Sequence, residues 1–349
     1  MNGEPAKITE HTVEGQGTVG TMTITGEESW AETSGTTWTG IKFKKSDVAV
    51  YANPEDVEIT QSKVFNRNTV GIQDIYEDES GEYIIFEPQQ PFGAIFSTMA
   101  FGCNLVGTGS ITIRNTLENL KNPGEFYFDR GEKTLYYYPP EGADINEMEF
   151  VIPESEGFMR INGESTSERV ENIEFSGIQF SYDDYNLEVI DDPENGLHAV
   201  GYGGVQSLGL YRKFADHGNW HHSWYNIVDT PYASVDVQNA RGIVFEGNRF
   251  KNISSSCGVS YTNDVVDSTI QGNAFINVAG NATNIGHPQH VFIGEDAKSD
   301  NQRFPVGVEG VCKNDQVVYN LVRNVSSEFY QCDALWLSLW KTATSLITT

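Results

Sequence analysis

Carboxylates carried by neighbouring short strands are the residues of this sequence best suited to chemistry. One positioned acid and one base can pass a proton to and from a bound ligand. In Ala233–Asn239 (ASVDVQN) the valines alternate with Asp236 and Gln238, so the valines face a core and Asp236 and Gln238 face outward. Cys257–Asp264 (CGVSYTND) repeats the alternation, with Ser260, Thr262 and Asp264 on the outer face. The next strand is expected in HPQHVFIGED, with Val291 and Ile293 inward, His290 outward and Glu295 and Asp296 at the strand end. An insertion then returns at Glu309. Asp264, Glu295, Asp296 and Glu309 are therefore the carboxylates predicted to converge. With 49 acidic residues in the chain, a solvated turn residue is the competing reading for each of them.

His287 and His290 flank a proline, which breaks the helix on which zinc-binding histidine pairs are usually spaced, and no HExxH occurs. No metal site is expected, and the two histidines are assigned either to ligand hydroxyl contacts or to structure. Gly218–Tyr225 (GNWHHSWY) carries Trp220 and Trp224, whose flat faces could line binding subsites or pack the insertion.

The elements that must position these groups are announced by a repeat. Gly242–Ser254 (GIVFEGNRFKNIS), Asp267–Ala279 (DSTIQGNAFINVA) and Asp315–Ser326 (DQVVYNLVRNVS) superimpose, and Asn172–Phe180 (NIEFSGIQF) is an earlier copy. Phe250, Phe275 and Val322 fall in register, with Asn248, Asn273 and Asn320 two places before and Asn252, Asn277 and Asn324 two places after. The first spacing is 25 residues and the second 47, so one coil carries an insertion. Asparagines recurring in register within strand-like segments predict a right-handed parallel β-helix, whose coils stack at about 4.8 Å. Apolar columns fill the bore, and asparagine suits corners because it tolerates left-handed backbone.

Upstream, Ile41–Phe43, Val48–Tyr51, Val57–Ile59, Val70–Ile75, Tyr83–Glu87 and Ile111–Ile113 read as strands, and Asn115–Lys121 as a capped helix. The pattern predicts a β-sandwich over residues 1–145 and the β-helix over 146–349, an all-β chain. A net charge of −27 opposes binding to nucleic acid and anionic membranes and favours neutral ligands. The four cysteines form no CxxC pair and read as buried thiols. The opening residues have neither the basic start nor the apolar run of a secretory leader.

NPEDVEI (Asn53–Ile59), LENLKNPGEFYFDRGEKTLYYYPPEGAD (Leu117–Asp144), VENIEFSGIQF (Val170–Phe180) and FEGNRFKNI (Phe245–Ile253) resemble carbohydrate-active right-handed β-helix proteins, closest in feel to glycoside hydrolase families 141 and 120. The resemblance implies a β-sandwich inserted near the start of the helix and relatives that are secreted or periplasmic. It also implies cleavage of a poly- or oligosaccharide by two carboxylates without a cofactor. Gln206 matches a family glutamine that follows a glycine-rich stretch, and is carried over as a binding residue. Carboxylates on adjacent coils, roughly 5 Å apart, would suit a retaining pair, and a gap of roughly 10 Å an inverting one. Two other readings stand beside the hydrolase. One is a polysaccharide lyase, which needs a basic residue and usually Ca²⁺; near the candidate carboxylates the sequence offers only Lys251, Lys298, Arg303 and Lys313. The other is a non-catalytic binding or structural β-helix of the adhesin or tail-protein type.

NGEPA (Asn2–Ala6) resembles an internal family segment, and WLSLWKTATSLITT lacks the asparagine due near position 345. A shifted reading of permitted codons over Leu337–Thr348 would restore one near 347. The sequence thus predicts a frameshifted fragment that ends in mid-helix, with an open edge prone to self-association.

Overall fold

In the computed structural model, residues 3, 5–25, 34–63, 66–90, 92–97, 104–185, 188–192, 197–205, 209–211, 213–214, 227–229, 233–286, 310–329, 332–337, 340–341 and 344–347 are described. The chain divides into two compact units, Met1–Val151 with Leu187–Gly203, and Ile152–Asn186 with Gly204–Thr349.

The first unit is a β-sandwich whose two layers share strands. Asn66–Glu77 pairs with Glu58–Ser62 through its first half and with Tyr83–Pro88 through its second, with a register shift between Ile72 and Asp74 where it changes layer. Glu10–Gln16 pairs with Thr108–Arg114 in one layer, and Thr18–Val19 pairs with Gly40–Lys44 in the other. Inward alternation buries Ile41, Phe43, Ile59, Val70, Ile72, Ile84, Phe86, Ile111 and Ile113. Of the expected strands, Val48–Tyr51 is instead irregular. Asn115–Lys121 reduces to a 3₁₀ turn at Leu117–Asn119, because Asn115 takes a left-handed backbone (φ 55°) that a helix start cannot accommodate. Phe92–Ser97 forms an α-helix that the sequence did not announce.

The strings that carry the family resemblance serve this packing. Asp56, buried in the NPEDVEI string, accepts hydrogen bonds from Tyr127 Oη at 2.5 Å and from the Arg130 amide at 3.1 Å. Arg130 reaches on to Glu58 and to the Asp56 carbonyl. Asn115 clasps Phe128 through both of its backbone groups, at 2.9 Å each. Burial, reinforced by the bond to Asp56, pushes the Tyr127 phenol far above its ordinary ionisation range. This network holds a fold; it is not a reaction centre.

The second unit is the right-handed parallel β-helix. Five successive coils run through four faces among the described residues. The first face is Met159–Asn162, Val235–Gln238, Cys257–Tyr261, Asn281–Ile285 and Leu335–Leu337, all parallel. Short second-face strands follow, and the last two faces carry the repeat. Phe180, Phe250 and Phe275 stack with centroids 4.8 Å apart and Val322 continues the column, while Phe175 stacks on Phe245 at 4.9 Å. Each ring meets the ring of the next coil because the coils are in register, which is why one apolar position recurs.

The asparagine columns form as the repeat requires. Asn273 Oδ1 accepts the Asn248 amide at 2.8 Å, Asn320 Oδ1 accepts the Asn273 amide at 2.9 Å, and their side-chain nitrogens donate to Phe245 and Ile270 carbonyls. A second ladder joins Asn252, Asn277 and Asn324, whose φ values are 57°, 55° and 52°. Asn273→Ala leaves the buried Asn248 amide without its partner and removes a donor from the Phe245 carbonyl. The expected cost is about 2–3 kcal/mol, read as a lower urea midpoint. A loss no greater than that of Gln271→Ala, on the outer surface, would contradict this account.

Residues Leu335–Leu337, Trp340–Lys341 and Thr344–Ile347 pair with the preceding coil on three faces. Ile347 stands opposite Asn320, where the repeat calls for an asparagine. Backbone pairing does not depend on the corner side chain.

Candidate functional site

On the first face, strand alternation sends one set of side chains into the bore and the other outward. Val235, Val237, Val259, Tyr261 and Ile285 are in the core. Between them, strand register aligns Arg160, Asp236, Ser260, Asn284 and Trp336 as an outward column. Arg160 Nε lies 3.4 Å from Asp236 Oδ2, and its Nη1 donates to the Ala233 carbonyl at 3.0 Å. Ser260 and Asn284 are 3% and 9% exposed, so this polar column is largely covered. Asp236 was expected on this face. Arg160, Asn284 and Trp336 were not, although counting 24 residues on from Asp236 to Ser260 and again to Asn284 marks the register.

One expectation is overturned here. The strand that pairs with Cys257–Tyr261 is Asn281–Ile285, not a segment within HPQHVFIGED. NATNI shows no apolar alternation, because Thr283 takes the position opposite core Val259 while Asn281 bonds Asn284 and the Asp333 amide. The corner of this coil is bounded by the first-face strand Asn281–Ile285 and the second-face strand Cys312–Lys313, and HPQHVFIGED falls outside the described residues between them.

Asp264 sits at that corner, fully buried, with φ at 49°. Its Oδ2 accepts from Arg169 Nε at 2.6 Å, its Oδ1 from Arg169 Nη2 at 3.1 Å, and its backbone amide donates to the Gly310 carbonyl at 2.7 Å. Arg169 arrives from the first coil, across the second, where Asn239 alone turns the corner. Asp264 thus links the first coil to the foot of the insertion, one residue after Glu309. Both carboxylate oxygens are engaged, so Asp264 can react only if that pair opens. Arg160 and Arg169 also add cations to a region where the sequence offered few. Lys251 lies on the fourth face and Lys313 on the second.

Of the ten candidate residues, Asp236 and Asp264 are described, each held by a different arginine. Glu295, Asp296, Glu309, His287, His290, Trp220, Trp224 and Gln206 lie outside the described residues. The last three belong to the segment between the first coil and the second. Asp183 ties both ends of that segment together, accepting from the Ser234 and Ser255 hydroxyls and from the Ser254 amide at 2.6 Å.

Among the described residues, no group of three or more His, Cys, Asp or Glu is placed to hold a metal ion. Cys257, Cys312 and Cys332 are buried thiols outside any disulfide, as the cysteine spacing suggested, while Cys103 is outside the described residues. Burial pushes the Cys312 thiol up to about 12 and raises Cys257 as well, which makes poor nucleophiles of both.

No family model matches the sequence, and no curated protein does. A solved structure described as a glycoside hydrolase superimposes with a TM-score of 0.64 at 17% identity, over 88% of this chain and 52% of its own. The chain thus spans about half the length of that structure. At this identity the likeness is one of fold, and the fold is that of a glycoside hydrolase structure.

Proposed function

We propose that this chain belongs to a glycoside hydrolase-like protein, similar in motif to families 141 and 120, that cleaves a neutral or weakly charged poly- or oligosaccharide with two carboxylates. The observation that supports this most is the outward column Arg160, Asp236, Ser260, Asn284 and Trp336, beside the corner from which the acidic insertion leaves. Its open ends, Arg160 and Trp336, offer a donor and an indole suited to hydroxylated rings, while Asp236, Ser260 and Asn284 between them are buried. The net charge of −27 disfavours a polyanion. The solved glycoside hydrolase of like fold adds to this reading.

In this reading Glu309 is one reacting carboxylate and Glu295 or Asp296 the other. One protonates the leaving oxygen, while the second attacks the sugar or activates water. Asp264 positions the insertion through Arg169 and Gly310. His287, His290 and Asp236 contact hydroxyls, Gln206 is a further binding residue, and Trp220 and Trp224 line subsites.

The test is turnover of the purified protein on a panel of aryl glycosides and cell-wall polysaccharides. Glu309→Gln is expected to lower turnover at least about 100-fold with an unchanged unfolding midpoint. Undiminished turnover removes Glu309 from the mechanism, and an unsaturated product would mark a lyase. Binding to a polysaccharide with no product from any substrate would leave a non-catalytic helix.

A further inference from the structure

The β-sandwich has an opening of its own, a cleft of about 520 Å³, within the range of about 300–1,000 Å³ usual for small-molecule sites. None of the described residues lining it carries a charge, in a chain where one residue in five does. One wall is bare backbone. The Gly17 amide donates to the Gly107 carbonyl at 2.6 Å, and a Cβ on Gly107 would lie 2.4 Å from the Gly17 carbonyl oxygen, so a side chain there is sterically excluded. Gln61, buried beneath this wall, accepts from the Val106 amide at 2.8 Å and donates to the Thr108 carbonyl at 3.0 Å, which fixes the backbone before any ligand arrives. The remaining lining offers the half-buried Trp38, the Asn104 amide and the bonded hydroxyl pair of Thr37 and Ser97.

We propose that this cleft binds a neutral saccharide. An indole gives a flat apolar face on which the C–H side of a sugar ring can rest, and hydroxyl and amide groups around it orient the ring hydroxyls. Among the described lining residues an anion finds no cation, and it meets the repulsive field of the whole chain. Nor does any described lining residue offer a cation a carboxylate. The proposal uses none of the carboxylates of the helical unit, so it and the catalytic reading can fail separately.

Calorimetric titration of the full chain with cellotriose, xylotriose, maltotriose and trigalacturonate tests it. At least one neutral trisaccharide is expected to bind, at least tenfold more tightly than trigalacturonate. Trp38→Ala and, independently, Thr36→Arg at the exposed rim should each weaken that binding at least tenfold. Thr36 is exposed and on the lining, so the arginine can be carried without disturbing the core. The proposal is overturned if no neutral trisaccharide binds, if trigalacturonate binds as well, or if binding is the same in the folded variants. Should Trp38→Ala fail to fold, Thr36→Arg alone decides.

Discussion

Arg169→Met is expected to destabilise the helical unit by about 3–5 kcal/mol, because it leaves Asp264 as a buried carboxylate with no counter-charge. The side chain of Asp264 is 1% exposed and that of Arg169 is 20% exposed, so the carboxylate is the member that cannot recover water. Asp264→Asn should cost less, since an amide oxygen still accepts from the guanidinium and Arg169 retains partial solvent contact. The double variant Arg169→Met with Asp264→Leu should recover most of the loss, as replacing an entire buried pair by apolar groups commonly does. Urea unfolding of the three variants measures this directly. A reacting Asp264 would behave differently: Asp264→Asn would abolish turnover and leave the unfolding midpoint unmoved.

Asp315→Asn is expected to flatten the dependence of stability on pH and to stabilise the protein near pH 8. Asp315 is 1% exposed; its Oδ1 accepts the Ser268 amide at 3.0 Å, and its Oδ2 has no partner among the described residues. Burial raises its carboxyl from 3.8 to about 8. Between those values the folded chain keeps a proton that the unfolded chain has released, so folding weakens as pH rises from about 4 and levels off above about 8. At about 1.36 kcal/mol per unit, the whole span corresponds to several kcal/mol. Asparagine retains the acceptor for Ser268 and has no charge to bury. Asp184 and Asp333, which burial also raises, act in the same direction in both proteins and cancel in the difference. Melting temperatures from pH 4.5 to 9 should converge at the acid end and separate toward pH 8. Parallel curves would rule out Asp315 as the source.

Much of the helical unit is legible without a structure because each coil reuses the register of the one before. Phe250 lies on Phe275 and Asn248 bonds Asn273 at a spacing of 25 residues, so the pattern is written twice or more. Asp236 and Ser260 follow from simple alternation. Asn284 escapes notice because the position opposite Val259 is filled by polar Thr283, which hides the alternation of its strand. Asn115–Lys121 reads as a capped helix yet forms only the 3₁₀ turn Leu117–Asn119, because an asparagine at a capping position does not reveal that its side chain is claimed by Phe128.

The sequence alone therefore determined the repeating parts of this protein: the parallel β-helix, its stacked rings, its asparagine ladders and the outward setting of Asp236. Tertiary structure alone decided that Arg169 reaches Asp264 across 95 residues, that Asn281–Ile285 is the fourth coil's first strand, and that the FYFDR string packs the sandwich. The physical reason is the range of the interactions. A repeat imposes the same local requirement at each coil and leaves the same residue behind each time. A buried ion pair or a hydrogen bond between distant loops is made once, and its two halves bear no relation to each other until the chain has folded.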